Sequence, residues 1–284
     1  MSDVRPFEHR RAGVERVSGE FPAGVGELPT RRSGRLGTPA MNAFFIALVG
    51  GVGVVAGGIA AVAGFGIGSL LTPLLAVQAG TQLAVAAVAV PHVIGTVQRF
   101  WKLRRHIDRR VLLGFGITSA AGGLGGALLH AYASSRILTI VFGLLLVLAA
   151  VSELTGWIQR VRWGREAAWV AGALSGALGG LVGNQGGIRS AAMLGFDVPR
   201  ASFVATATAI ALCVDAARLP VYLATQSGAI EAIWPAVLAA TAGVVVGTAI
   251  GTRVLHVMSE RAFRRAVATL LLALGVYMLG RGLR

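Results

Sequence analysis

Polar positions in this chain gather between long apolar runs instead of recurring within them. The runs fall at about 42–63, 81–98, 111–131, 137–155, 168–183, 201–223, 232–252 and 266–281. A helix needs about 20 apolar residues to cross a hydrocarbon core of about 30 Å, so the pattern predicts about eight transmembrane helices and an all-α, polytopic membrane protein. From Leu36 to Gln98 there is no Asp, Glu, Lys or Arg. No soluble core calls for so long an uncharged stretch.

Two glycine-rich segments interrupt this pattern. Gly64-Phe-Gly66-Ile-Gly68-Ser-Leu-Leu-Thr-Pro73 follows the first run, and Gly183-Asn184-Gln185-Gly186-Gly187-Ile-Arg189-Ser190 follows the fifth. Both are too short and too rich in glycine for full crossings, and each reads as a re-entrant break. Shifting the sequence by 119 positions lays Gly64 on Gly183, Gly68 on Gly187, Thr96 on Asp215 and Arg99 on Arg218; a shift of about 121 then lays Gly122 on Gly243 and Gly126 on Gly247. The chain therefore reads as a duplicated unit, repeat 1 at about 42–157 and repeat 2 at about 166–283, within a transmembrane domain of 41–284. Transporters commonly hold their substrate where two broken segments meet near the midplane. Backbone of that kind needs protein or water around it.

Composition agrees with a membrane setting. Of 284 residues, 55% are hydrophobic and only 13% charged, with a mean hydropathy of +0.72. The net charge of +14 would suit a nucleic-acid binder, but the cations sit in short segments between apolar runs, as in the cytoplasmic loops of membrane proteins. No nucleic-acid partner is expected. Residues 1–40 mix seven Arg with four Glu and lack apolar periodicity, which predicts a disordered, Arg-rich cytoplasmic tail. The first apolar run starts near Met41 without a convincing cleavage site, so no cleaved signal peptide is expected. The Arg-rich segments 99–110 and 160–165 should also be cytoplasmic. With eight spans, however, the second half places Arg253, Arg261, Arg264 and Arg265 outside. If 184–199 crossed fully, that half would invert and obey the positive-inside rule, and both arrangements stay open.

The residues able to carry chemistry are few. Glycine turns leading into helices expose N–H groups at a positive dipole end, so Gly66, Gly68, Gly186 and Gly187 are candidate anion ligands. The rows Gly172-xxx-Gly176-xxx-Gly180 and Gly243-xxx-Gly247-xxx-Gly251 read as helix packing instead. Asn184, Gln185 and Arg189 interrupt an apolar region, and Arg189 is the foremost candidate for an anion ligand. Pro91 frees a helix carbonyl beside His92, which would bind an anion when protonated, relay a proton, or simply pack. Asp215 and Arg218, three apart, face the same way and pair, either structurally or as a coupling or gating switch. Arg99, with Thr96 in place of a carboxylate, reads as a boundary cation. The lone Cys213 excludes a disulfide framework, and no Walker A, HExxH or GxSxG motif occurs. No metal, cofactor or catalytic residue is expected.

On "GFGIGSLLTPLL", the Pro91-His92 segment, "GGLVGNQGGIRSAAM" and "FVATATAIALCVDAARLPVYL", the chain resembles the sulfite exporter TauE/SafE family over about 42–283. The resemblance implies a multi-pass transporter of the bacterial inner membrane, not an enzyme, moving sulfite, an organosulfonate or another small sulfur-containing oxyanion. Its partners would be that anion, the lipid bilayer and, as a further candidate, a second copy of the chain. The family's second break is usually richer in glycine, so Asn184, Gln185 and Arg189 would tune the substrate or indicate another. A membrane-embedded enzyme or sensor and an uncoupled anion channel are the rival readings.

Overall fold

The computed structural model describes residues 41–156, 165–184, 186, 189, 193, 196, 198–255 and 260–284. The expectations for residues 1–40, for Arg160 and Arg162, and for Gln185 and Gly187 lie outside the described residues. Those described are helical, with no strand among them. Helix α1 (Ala43–Ala63) opens on Asn42, whose side chain accepts the Phe45 N–H at 2.8 Å. It stops at Gly64, whose φ of 78° is open to glycine at little cost, and the Gly64 N–H closes back onto the Ala60 carbonyl. Helix α2 (Ile67–Ala79) follows, then α3 (Thr81–Leu103), α4 (Arg109–Tyr132), α5 (Ser135–Thr155), α6 (Arg165–Val182), α7 (Arg200–Ala232), α8 (Trp234–Leu255) and α9 (Glu260–Leu283).

Seven of the described helices are long and apolar enough to cross a membrane, not eight. The run at 168–183 accounts for the difference, because its apolar helix Trp169–Val182 is short, like Ile67–Ala79. The protein is a multi-pass membrane protein.

Small residues decide which helices touch. Helix α1 packs along α8, α4 along α6, and α5 along α9, while α3 and α7 cross at the centre. A Cβ on Gly176 would fall 1.9 Å from the Ser119 carbonyl oxygen, and one on Gly247 1.9 Å from that of Val54. The glycine rows are thus packing faces, as their spacing predicts, and backbones lie in direct contact along them. Gly122 meets Ala173 and Ala177 as Gly247 meets Val54 and Gly58. Helix α7 runs on past Arg218 to Ala232 before α8 begins at Trp234.

The two ends of the bundle have different characters. One gathers the starts of α3 and α5, the ends of α7 and α9, and the α2 end: Gln82 donates to the His130 carbonyl at 3.1 Å, Arg136 to Gly282 at 2.9 Å and Arg281 to Ala76 at 3.2 Å. A cavity of about 550 Å³ opens there, lined by Gln82, Ser135, Thr225 and Gln226 among others. Helix α1 starts at this end too, since it runs parallel to α8, with Gly50 beside Ala239 and Gly57 beside Val244 and Thr248. The other end holds the Arg-rich 104–110 segment, where the Asp108 N–H donates to Thr206 at 2.9 Å, and the Arg264–Glu153 ion pair at 2.5 Å. The start of α1 and the 104–110 segment therefore lie at opposite ends.

Candidate functional site

Both glycine breaks end a helix in the same way. Gly183, with φ of 75°, closes α6 through its N–H to the Gly179 carbonyl at 2.9 Å, as Gly64 closes α1 onto Ala60 at 3.0 Å. The two breaks lie side by side and run in opposite directions. A Cβ on Gly68 would fall 2.5 Å from the Gly183 carbonyl oxygen, Gly186 abuts the Phe65 side chain, and Arg189 donates to the Gly64 carbonyl at 3.3 Å. The sequence asked whether the glycines of the breaks serve packing or approach to a ligand. At Gly68 and Gly186 the answer includes packing.

Each break is braced by an arginine from a central helix. Arg99 on α3 donates to the Ala60 carbonyl at 2.6 Å and to Thr96 Oγ1 at 3.1 Å. Arg218 on α7 donates to the Gly179 carbonyl at 2.7 Å and binds Asp215 Oδ1 through Nε at 3.0 Å and its second terminal nitrogen at 2.8 Å. A guanidinium at a helix C-terminus meets the negative end of the macrodipole, and here each adds a second donor to the carbonyl that the capping glycine N–H already holds. Arg99 is only 5% exposed. Its guanidinium is therefore enclosed by the protein.

The two arginines differ in their counter-charge. Asp215 is fully buried, and its second oxygen takes His92 Nδ1 at 2.8 Å, so the carboxylate is shared between α3 and α7. Thr96 lies 3.5 Å from the same His92 nitrogen, which completes a polar chain from Arg99 through Thr96, His92 and Asp215 to Arg218. On the other side of the chain stands Arg189, 2% exposed. Its Nε and one terminal nitrogen, together with Arg99 Nε, are buried and have no hydrogen-bond partner among the described residues. Arg189 feels Arg99 as a like charge and Asp215 as an opposite one. One carboxylate thus faces three guanidiniums, and two positive charges are left in excess.

A model of the sulfite exporter TauE/SafE family matches residues 49–278. The chain belongs to that family. No curated protein and no solved structure matches it. In this TauE/SafE protein His92, Asp215 and Arg218 come together, Gly68 lies beside the Gly183 that Arg218 approaches, and Arg189 lies against Gly64. Pro91 is buried in α3 one residue before His92. Asn184 is half-buried in the turn after α6. Among the described residues no group of three or more His, Cys, Asp or Glu is arranged to hold a metal ion.

Two members of the polar interior carried no sequence signal strong enough to single them out. Tyr222 donates through its hydroxyl to the Gly180 carbonyl, and His130 holds the Leu181 carbonyl at 2.8 Å while its ring lies 4.9 Å from that of Tyr222. With Arg218 they cover three successive carbonyls at the end of α6. A histidine at the end of an apolar run, and a tyrosine one turn after an arginine, were the signals available.

Proposed function

We propose that this TauE/SafE protein is a secondary transporter that carries a small sulfur-containing oxyanion, such as sulfite or an organosulfonate, outward across the bacterial inner membrane. The observation that carries the reading is the unpartnered guanidinium nitrogen of Arg189 and Arg99, buried next to two glycine turns. A buried cation without a partner is costly, and a dissolved oxyanion is the partner whose geometry suits a guanidinium best. The N–H groups at the start of α2 add a favourable dipole on the same side. Gly66, Gly68, Gly186 and Arg189 then line the anion position, with Asn184 extending it, while Pro91 sets the local bend of α3.

The same reading treats the halves as inverted copies. Exchanging α1 with α6, α3 with α7, α4 with α8 and α5 with α9 turns the helix pairs described above into one another, and Ala60, Thr96 and Arg99 take the places of Gly179, Asp215 and Arg218. Each break is then the tip of a re-entrant hairpin, the two entering from opposite faces, as in transporters whose substrate sits between two discontinuous helices. Putting the Arg-rich end in the cytoplasm satisfies the positive-inside rule for the segments that join the helices. It also starts α1 on the opposite side, which reverses the orientation expected from the sequence for that helix.

The test is uptake of radiolabelled sulfite, sulfate, thiosulfate and organosulfonates into proteoliposomes. Saturable flux of at least one anion is expected, abolished by Gly68→Leu in protein that still inserts. Flux of none of them, or flux unchanged by Gly68→Leu, overturns the reading.

A further inference from the structure

We infer that His92 takes up a proton together with the anion, which makes the transporter a proton–anion co-transporter. This rests on the anion position proposed above. Asp215 Oδ2 fixes Nδ1 of His92 at 2.8 Å. A neutral imidazole held in this way keeps its hydrogen on Nδ1, so the nitrogen that gains or loses a proton is Nε2. The ring is the one member of the polar chain able to change its charge without losing its contact to Asp215, because Nδ1 donates to the carboxylate in both states. The side chain keeps 11% of its surface exposed, whereas Asp215 keeps none.

The charges around the ring set the direction of coupling. His92 faces Asp215 and Arg218 from α7 and Arg99 from its own helix. Arg189, from the second break, acts on Arg99 and Asp215. Asp215 and Arg218 cancel, so Arg99 and Arg189 remain uncompensated. A proton on Nε2 would add a third positive charge, and an anion beside Arg189 supplies the opposite sign. Each ligand therefore favours the other, and the linkage is reciprocal: the anion binds more tightly at low pH, and the protonated ring is held more firmly when the anion is present. In one transport cycle the proton enters Nε2 from water on the loading side and returns to water on the other, with no bond to the anion formed or broken.

The experiment uses sulfate and thiosulfate, which do not titrate near neutral pH, whereas sulfite does. Affinity is measured by isothermal titration of purified protein from pH 5.5 to 8.5. Wild type should bind about 5–150-fold more tightly at the acid end. His92→Gln and His92→Asn, which retain an N–H donor for Asp215, should give an affinity that no longer changes with pH. In proteoliposomes loaded with a pH-sensitive dye, anion entry should acidify the lumen with wild type and not with either variant. Labelled-histidine NMR of wild type gives a readout that does not depend on any variant folding: one ring should gain a proton on addition of sulfate at fixed pH. Binding by wild type with no pH dependence, or a pH dependence that survives in both variants, overturns the proton role and leaves the anion reading standing. No binding of either anion, or of sulfite, at any pH removes the anion reading itself.

Discussion

Compare how the two glycine breaks are neutralised. At the first, Arg99 reaches the Ala60 carbonyl and leans on a threonine, and it leaves its Nε unpartnered; at the second, Arg218 reaches the Gly179 carbonyl and lies against a carboxylate. Tyr222 and His130 then cover the next two carbonyls of the second break. The positions match and the chemistry does not. A guanidinium with an internal carboxylate is a brace, while one without is a brace that still seeks an anion. The difference separates a structural joint at the second break from a candidate binding place at the first.

The strongest way to break this contrast is to remove the internal anion. Asp215→Asn leaves Arg218 buried and unpaired, and loss of one partner of such a pair costs about 3–5 kcal/mol. The melting temperature in detergent should fall steeply. A melting temperature equal to that of wild type would mean that the second break is not braced by charge.

Arg189→Ala tests the opposite pole. It removes a cation with unpartnered nitrogen, so the protein should stay folded while anion affinity drops by the worth of a charged hydrogen bond, about 1.5–3 kcal/mol. Arg189→Lys should restore only part of it, because an ammonium cannot hold an oxyanion through two parallel bonds. Equal binding by Ala and wild type in a titration would show that Arg189 has no part in recognition.

Thr96→Asp sharpens the comparison by giving the first half the carboxylate of the second. The new side chain should pair with Arg99 and compete with the anion, weakening it by roughly tenfold, about 1.4 kcal/mol, with little loss of stability. Undiminished affinity would remove Arg99 from the anion position. The smallest change is Tyr222→Phe, which deletes one hydroxyl from the brace of the second break. About 1 kcal/mol of stability should be lost, read as a shift of the unfolding midpoint, with anion affinity unchanged.

The sequence made part of this contrast legible. Glycine clusters, an arginine and an aspartate stand out in an apolar chain, and the 119-residue offset that joins Thr96 to Asp215 also joins Ala60 to Gly179, the carbonyls that Arg99 and Arg218 reach. What escaped was whatever depends on where the chain goes between such landmarks. Apolar runs report length in hydrocarbon and not direction, so the reversal of α2 after α1 and the end of the bundle at which α1 begins were hidden. His130 and Tyr222 are single polar residues in apolar runs, and their partners are backbone carbonyls, which leave no trace in a sequence.

The close backbone contact between α1 and α8 also bears on how the protein is made. Gly50, Gly53 and Gly57 meet residues Ala239 to Thr248, which leave the ribosome almost two hundred residues later. Until then the small-residue face of α1 has no partner from its own half, and the first half cannot complete its fold as an independent unit. Assembly must wait for contacts distant in sequence, the circumstance in which chains fold slowly and are most exposed to wrong association. Fragments ending before α8 should therefore insert without reaching a protease-resistant state, and co-expression of the missing C-terminal helices should rescue them.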